Sequence, residues 1–147
     1  MPSEIHVSSF ADLDVHTLYA ILKLRVDVFV VEQKCPYPDL DGRDTEPATR
    51  HVWLSEGDEI LAYLRVLDDG DVRRIGRVIA APAARKGGHA SRLMEHALTL
   101  VGDRPSVLDS QSYAAGFYAR FGFEVAGPEF LEDDIPHVPM RRPGQNA

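Results

Sequence analysis

The clearest periodic signal in the chain is a stripe formed by Ala90, Leu93, Met94, Ala97, Leu98 and Val101. Steps of three and four residues put all six on one face of a helix with about 3.6 residues per turn. An apolar run at residues 72–81 precedes it and reads as a strand, and the join between them carries Pro82 and the pair Gly87-Gly88. Earlier, residues 5–10 alternate as a first strand. Val15, Leu18, Tyr19, Leu22, Val26, Phe29 and Val30 then form a helical stripe that Asp12 or Asp14 would cap. The β-branched run at residues 26–31 leaves the end of that helix open. Residues 51–55, 60–67 and 72–81 read as a meander with turns at 56–59 and 68–71. Past Val101, residues 106–109 read as a buried strand. Residues 113–121 read as a short helix with Ala114, Phe117, Tyr118 and Phe121 on one side, and 123–125 as a strand. Residues 135–140 are extended, with prolines that favour a sheet edge.

This order predicts an α/β fold of the mixed α+β kind: one twisted sheet with helices on both faces and a βαβ crossover through the glycine junction. A single domain over residues 1–142 is expected, with residues 143–147 as a disordered tail. Residues 32–50 hold many turn formers, and Asp39, Asp41, Asp44 and Glu46 cluster among them. They lack the spacing of a calcium loop, so no metal is expected and a solvated or substrate-facing loop is.

Composition narrows the class. The chain is 44% hydrophobic and 27% charged, which suits a globular domain. Lys and Arg number 16 against 23 Asp and Glu, a net charge of −7 that argues against nucleic acid as partner. No apolar run approaches the roughly 20 residues that span a bilayer, and the first residues lack the pattern of a secretory leader. The lone Cys35 excludes an internal disulfide. Together these features predict a cytoplasmic protein without membrane contact. The C-terminal strands could pair between subunits in a homodimer.

The glycine junction carries the chemistry. At a helix N-terminus, unpaired N–H groups and the helix dipole attract an anion, and glycines let a phosphate approach the backbone. Arg85 and Lys86 add charge beside it. The P-loop and Rossmann spacings are both absent. The pattern present is Arg85-x-x-Gly88-x-Ala90, followed by Ala114-Ala115-Gly116-Phe117-Tyr118-Ala119-Arg120-Phe121-Gly122-Phe123. Together these resemble the acyl-CoA segment and the tyrosine-bearing helix of the GNAT superfamily of N-acetyltransferases. Leu24-Arg25-Val26-Asp27-Val28-Phe29-Val30-Val31-Glu32-Gln33, Cys35-Pro36-Tyr37-Pro38-Asp39-Leu40-Asp41-Gly42-Arg43-Asp44, Arg50-His51, Ile75-Gly76-Arg77-Val78 and Ile135-Pro136-His137 are similar to its ElaA-like branch. The resemblance runs from Leu18 to Arg141.

The resemblance implies a GNAT sheet with a splayed pair of parallel strands, acetyl-CoA as co-substrate, and direct acetyl transfer to an amine of a small molecule or peptide. It implies that Val78, Ile79 and Ala80 meet the pantetheine. The N–H groups from Arg85 through Lys86, Gly87, Gly88 and His89 to Ala90 would meet the pyrophosphate, with Arg92 near. Tyr118 would be the general acid, since a phenol can protonate the leaving thiolate. Gln111 stands where the family commonly has Asn. The base is open among Glu32, His51, Asp109 and His137, the first two and His137 also being candidate substrate contacts. Arg77 is expected to pair with a carboxylate, and Cys35 to be a packed thiol. The alternative is a non-catalytic acyl-CoA-binding or protein-interaction module on the same fold.

Overall fold

The computed structural model describes residues 3–145. The strands are β1 (Ser3–Ser8), β2 (Arg50–Glu56), β3 (Glu59–Asp68), β4 (Arg73–Ala80), β5 (Ser106–Gln111), β6 (Glu124–Val125), β7 (Phe130–Glu132) and β8 (Ile135–Arg142). They form one sheet in the order β1-β2-β3-β4-β5-β8-β6, with β7 also on β8. All pairings are antiparallel except β4 with β5. The helices are α1 (Val15–Arg25), α2 (His89–Val101) and α3 (Ala115–Ala119).

Two apolar clusters cover the two faces of the sheet. On one, Leu93, Met94, Ala97 and Val101 of α2 pack on Val52, Leu54, Ala62, Leu64 and Ile75. On the other, Ile21 and Val28 pack on Tyr63 and Ile79. Leu61 to Leu67 of β3 are therefore all buried, as a strand covered on both faces requires. Among the described residues, no helix is long and apolar enough to cross a membrane.

Asp14, not Asp12, caps α1, accepting from the Thr17 N–H at 2.8 Å. The helix then continues as a π-helix over Val26–Glu32. Its expected stripe is turned: Val15 and Tyr19 are each 73% exposed, and the buried side runs Ile21, Arg25, Val28. An arginine on the buried side is the cause, because an apolar count scores Arg25 as a surface residue.

Arg25 is fully buried, with Nε 2.9 Å from Asp39 Oδ2 and Nη1 2.7 Å from Asp44 Oδ1. Arg65 of β3 binds Asp41 at 2.5 Å and Asp44 at 3.0 Å. Residues 35–47 are thus clamped to the sheet by buried ion pairs, and of the expected alternatives, a solvated or a substrate-facing loop, the solvated one fails at Asp39 and Asp44. Burial alone would raise the Asp44 pKa, but the guanidinium groups of Arg25 and Arg65 outweigh it and hold the carboxyl low. Hydrogen bonds from Arg65 do the same for Asp41.

Two corrections concern the C-terminal strands. β7 has no counterpart among the expected strands; its hairpin to β8 turns on Asp133 and Asp134, at φ 51° and 65°, which supply positive φ without glycine. β8 is interior, not an edge. Its prolines are tolerated because Pro139 turns its backbone away from β5, where its carbonyl accepts from Ala126 N–H at 2.8 Å, and Pro136 lies past the last β5 pair, Gln111 with His137. In the expected tail, Gln145 N–H donates to Asp103 O at 3.0 Å; residues 146–147 lie outside the described residues.

Removing Arg25 leaves two buried carboxylates short of a partner, so Arg25→Ala should lose about 3–5 kcal/mol in urea unfolding. Acid should weaken the fold as well. Asp41 and Asp44 have lowered folded pKa values, so their stabilisation is present above the unfolded value of about 3.9 and lost as pH falls below it. Burial likewise lowers the pKa of His51, so its neutral form favours folding above the unfolded value of about 6.5 and that contribution drains away below it. Urea midpoints should therefore drop between about pH 6.5 and pH 4 through His51 and fall further below about pH 4 through Asp41 and Asp44; a flat series over both ranges contradicts this account.

Candidate active site

β4 and β5 pair only through Arg73 with Ser106 and Arg74 with Val107. Beyond that point the strands part, and a cleft of about 870 Å³ opens between them. Its walls are Ile75 to Ala80 of β4, Leu108, Asp109 and Gln111 of β5, the π-helix, the clamped loop and the β7–β8 turn. Ala81 N–H donates to Leu61 O of β3 at 2.8 Å. Alternation then turns the backbone groups of Ala80 away from β3 and toward the gap. One is in use: Arg85 Nε lies 3.4 Å from Ala80 O.

At the N-cap of α2, Gly88 takes φ 72° and supplies no side-chain cap. Helices usually cap this end with a polar side chain, so the first N–H groups are left for an outside acceptor. At Gly87 a Cβ would strike the His89 ring. Lys86, Gly87 and His89 line a second, smaller pocket with Glu56 and Glu59.

Tyr118 lines the cleft from α3, wedged between Phe117 and Phe123 with ring centroids at 5.0 and 6.4 Å. Burial pushes its pKa up, so the phenol keeps its proton at neutral pH. Gln111 lies across from it with its amide 3.2 Å from Gln33 Oε1.

The four candidate bases separate. His51 is 1% exposed and does not line the cleft. Its Nε2 is 3.0 Å from Asp44 O and its Nδ1 2.7 Å from the Tyr63 hydroxyl. Nε2–H therefore donates and Nδ1 accepts, leaving nothing for a substrate. The expected catalytic or substrate role of His51 is thus corrected to a structural one. Glu32 faces the cleft but is paired by both oxygens with Arg85, whose hydrogen bonds lower its pKa. Asp109 is 3.4 Å from Arg74 Nη1. His137 lines the cleft, stacked on Phe130, with Nδ1 2.7 Å from Ile135 O. Nδ1–H therefore donates to that carbonyl, and the neutral ring carries its lone pair on Nε2. Glu132 Oε2 lies 3.8 Å from that nitrogen.

Several cleft residues were not singled out from sequence. Arg65 and Tyr37 are the main ones. A charge inside the apolar run of β3 was a signal for Arg65. Cys35 is a buried thiol bonded to Asp133 O at 3.4 Å, its pKa raised by burial. Among the described residues, no cluster of His, Cys, Asp and Glu could hold a metal ion.

A strand pair that parts, with a tyrosine lining the gap and an uncapped helix next in the chain, matches the resemblance read from sequence. A family model described as an acetyltransferase (GNAT) domain matches residues 24–143. The chain belongs to the GNAT acetyltransferase family. It is similar to UPF0039 protein Rv2851c of Mycobacterium tuberculosis, at 53% identity over 138 residues, covering 90% of this chain and 88% of the relative. It is also similar to two solved structures. One is an acyl-CoA N-acyltransferase from Pseudomonas aeruginosa, at 42% identity and TM-score 0.91, covering 96% of this chain and 99% of that one. The other is Escherichia coli ElaA, at 39% identity and TM-score 0.90, covering 95% and 99%. The GNAT sheet accounts for the mixed topology with its single parallel pair.

The loop geometry makes its own prediction. Gly88→Ala places a Cβ at positive φ and should cost about 1–2 kcal/mol in urea unfolding. Stability equal to the parent would show that this N-cap does not hold the left-handed conformation.

Proposed function

We propose that the chain is an acyl-CoA-dependent N-acetyltransferase. It moves acetyl from acetyl-CoA to a primary amine of a small molecule or peptide, by direct transfer in a ternary complex. The observation that carries this reading is the gap between β4 and β5 with Tyr118 lining it. The Pseudomonas aeruginosa relative is described as an acyl-CoA N-acyltransferase, which supports the same cofactor class here.

Acetyl-CoA supplies an acetyl group activated as a thioester. The residues present fit its two most distinctive parts. The uncapped N-terminus at Gly88, His89 and Ala90 suits a pyrophosphate, and Arg85 and Lys86 bring positive charge to it. The unpaired edge at Ala80, between Val78, Ile79 and the Gln111 side of the gap, suits an amide-bearing pantetheine that adds to β4 as a strand would. Arg85 would exchange Glu32 for phosphate.

His137 is the residue best placed to take the proton that the ammonium acceptor must lose, through its free Nε2 or through a water. The amine nitrogen then bonds to the acetyl carbon as the carbon–sulfur bond breaks, and the nitrogen sheds its second proton to solvent to leave the amide. The Ala80 N–H would steady the charge that builds on the carbonyl oxygen. Tyr118 delivers its proton to the departing sulfur and is restored from solvent. Glu32 and Asp109, already paired with arginine, serve better as contacts to a cationic acceptor.

Thiol release from acetyl-CoA across a panel of amines and peptides tests the reading. Tyr118→Phe should lower kcat by about a hundredfold or more, while the Kd for coenzyme A stays within about threefold. Silence of the parent across the panel, with coenzyme A bound, would favour the non-catalytic module. His137→Gln should fall alongside Tyr118→Phe, and full activity in that variant would remove His137 from the mechanism.

A further inference from the structure

Arg77 sits inside β4 at φ 53°, a left-handed conformation that side chains with a Cβ rarely adopt. The residue before it is Gly76, which could take that conformation at little cost but has no positive φ. The register explains where the odd residue lies. Gly76 pairs with Arg65 and Ile79 with Tyr63, so two residues of β4, Arg77 and Val78, stand opposite Leu64 alone. This is a bulge, and it bends β4 just past the point where pairing with β5 ends.

Something must hold a non-glycine residue there, and the side chain of Arg77 shows what does. Its Nε is 3.0 Å from Asp39 Oδ1 and its Nη2 3.1 Å from Asp39 O. The guanidinium also lies 5.5 Å from the centre of the Tyr37 ring. Asp39 is itself fixed, by Arg25 at 2.9 Å and by the Tyr37 hydroxyl at 2.5 Å. The anchor is therefore a buried part of the clamped loop, not a mobile surface group.

We infer that Arg77 is a positioning residue: tethered to Asp39, it holds the β4 bulge in its left-handed form and so keeps the groove between β4 and β5 open for the cofactor. The inference rests on the reading that this groove takes acyl-CoA. It assigns Arg77 no contact with the cofactor.

Two variants separate the tether from other roles. R77A keeps the Cβ that disfavours positive φ and loses the tether. R77G also loses the tether, but adopts positive φ freely. Asp39 keeps Arg25 and Tyr37 in both, so both should fold, which a thermal melt checks. NMR coupling constants and Cα shifts at position 77 should report positive φ in the parent and in R77G, and its loss in R77A. Isothermal titration with coenzyme A should show R77A weakened by about tenfold, the fraction of open groove having fallen, with R77G regaining most of the loss. Equal weakening of R77A and R77G would mean that Arg77 serves the cofactor by charge or contact, and would overturn the inference. So would positive φ persisting in R77A. A parent that binds no coenzyme A would instead sink the acyl-CoA reading, and the NMR comparison would still decide whether the tether holds the bulge.

Discussion

Two carboxylates, Asp39 and Asp44, carry charge in the interior of this protein, and the cleft depends on the arginines that meet them. A buried carboxylate without a partner is costly enough to unfold a small domain. Arg25 reaches both from the helix on one face, and Arg65 reaches Asp44 from the centre of the sheet. The result is that a proline-rich segment with little regular structure becomes a fixed wall. Tyr37 and Asp41 then stand on that wall, facing the gap, and Arg77 of β4 is tied to it through Asp39.

The gap itself follows from a conflict in the sheet. A strand that pairs fully with both neighbours has no backbone left for a ligand. β4 pairs with β3 along most of its length, but with β5 for only two residues. Beyond that, its free edge and the tyrosine of α3 face the same cleft, and the uncapped start of α2 follows β4 in the chain. The fold places them, and the clamped loop keeps the opposite side from collapsing onto them.

Much of this arrangement was legible from sequence. The α2 stripe, the strand before it and the glycines between were plain, because a continuous apolar run followed by a period of 3.6 fits little besides a strand feeding an amphipathic helix. The tyrosine helix was legible through its motif. What failed were residues whose role depends on a distant partner. Arg25 reads as surface until Asp39 and Asp44 are known to reach it, and that error turned the whole α1 stripe. A histidine opening a strand gives no sign of which face it joins, so His51 was a candidate base until Tyr63 and Asp44 took both its nitrogens. β7 escaped because its turn uses Asp133 and Asp134 where glycine is the usual signal. The π-helix escaped because its β-branched run fits a strand or a helix end equally well.

The central claim is that the free edge of β4 and the start of α2 together receive an acyl-CoA. Hydrogen–deuterium exchange with and without coenzyme A reads both places at once. The account predicts slower exchange at the amides around Ala80 and from Gly87 to Ala90 when coenzyme A is present, with β1 and β2 unchanged. Protection confined to other parts of the surface, with those two stretches unaffected, would contradict it.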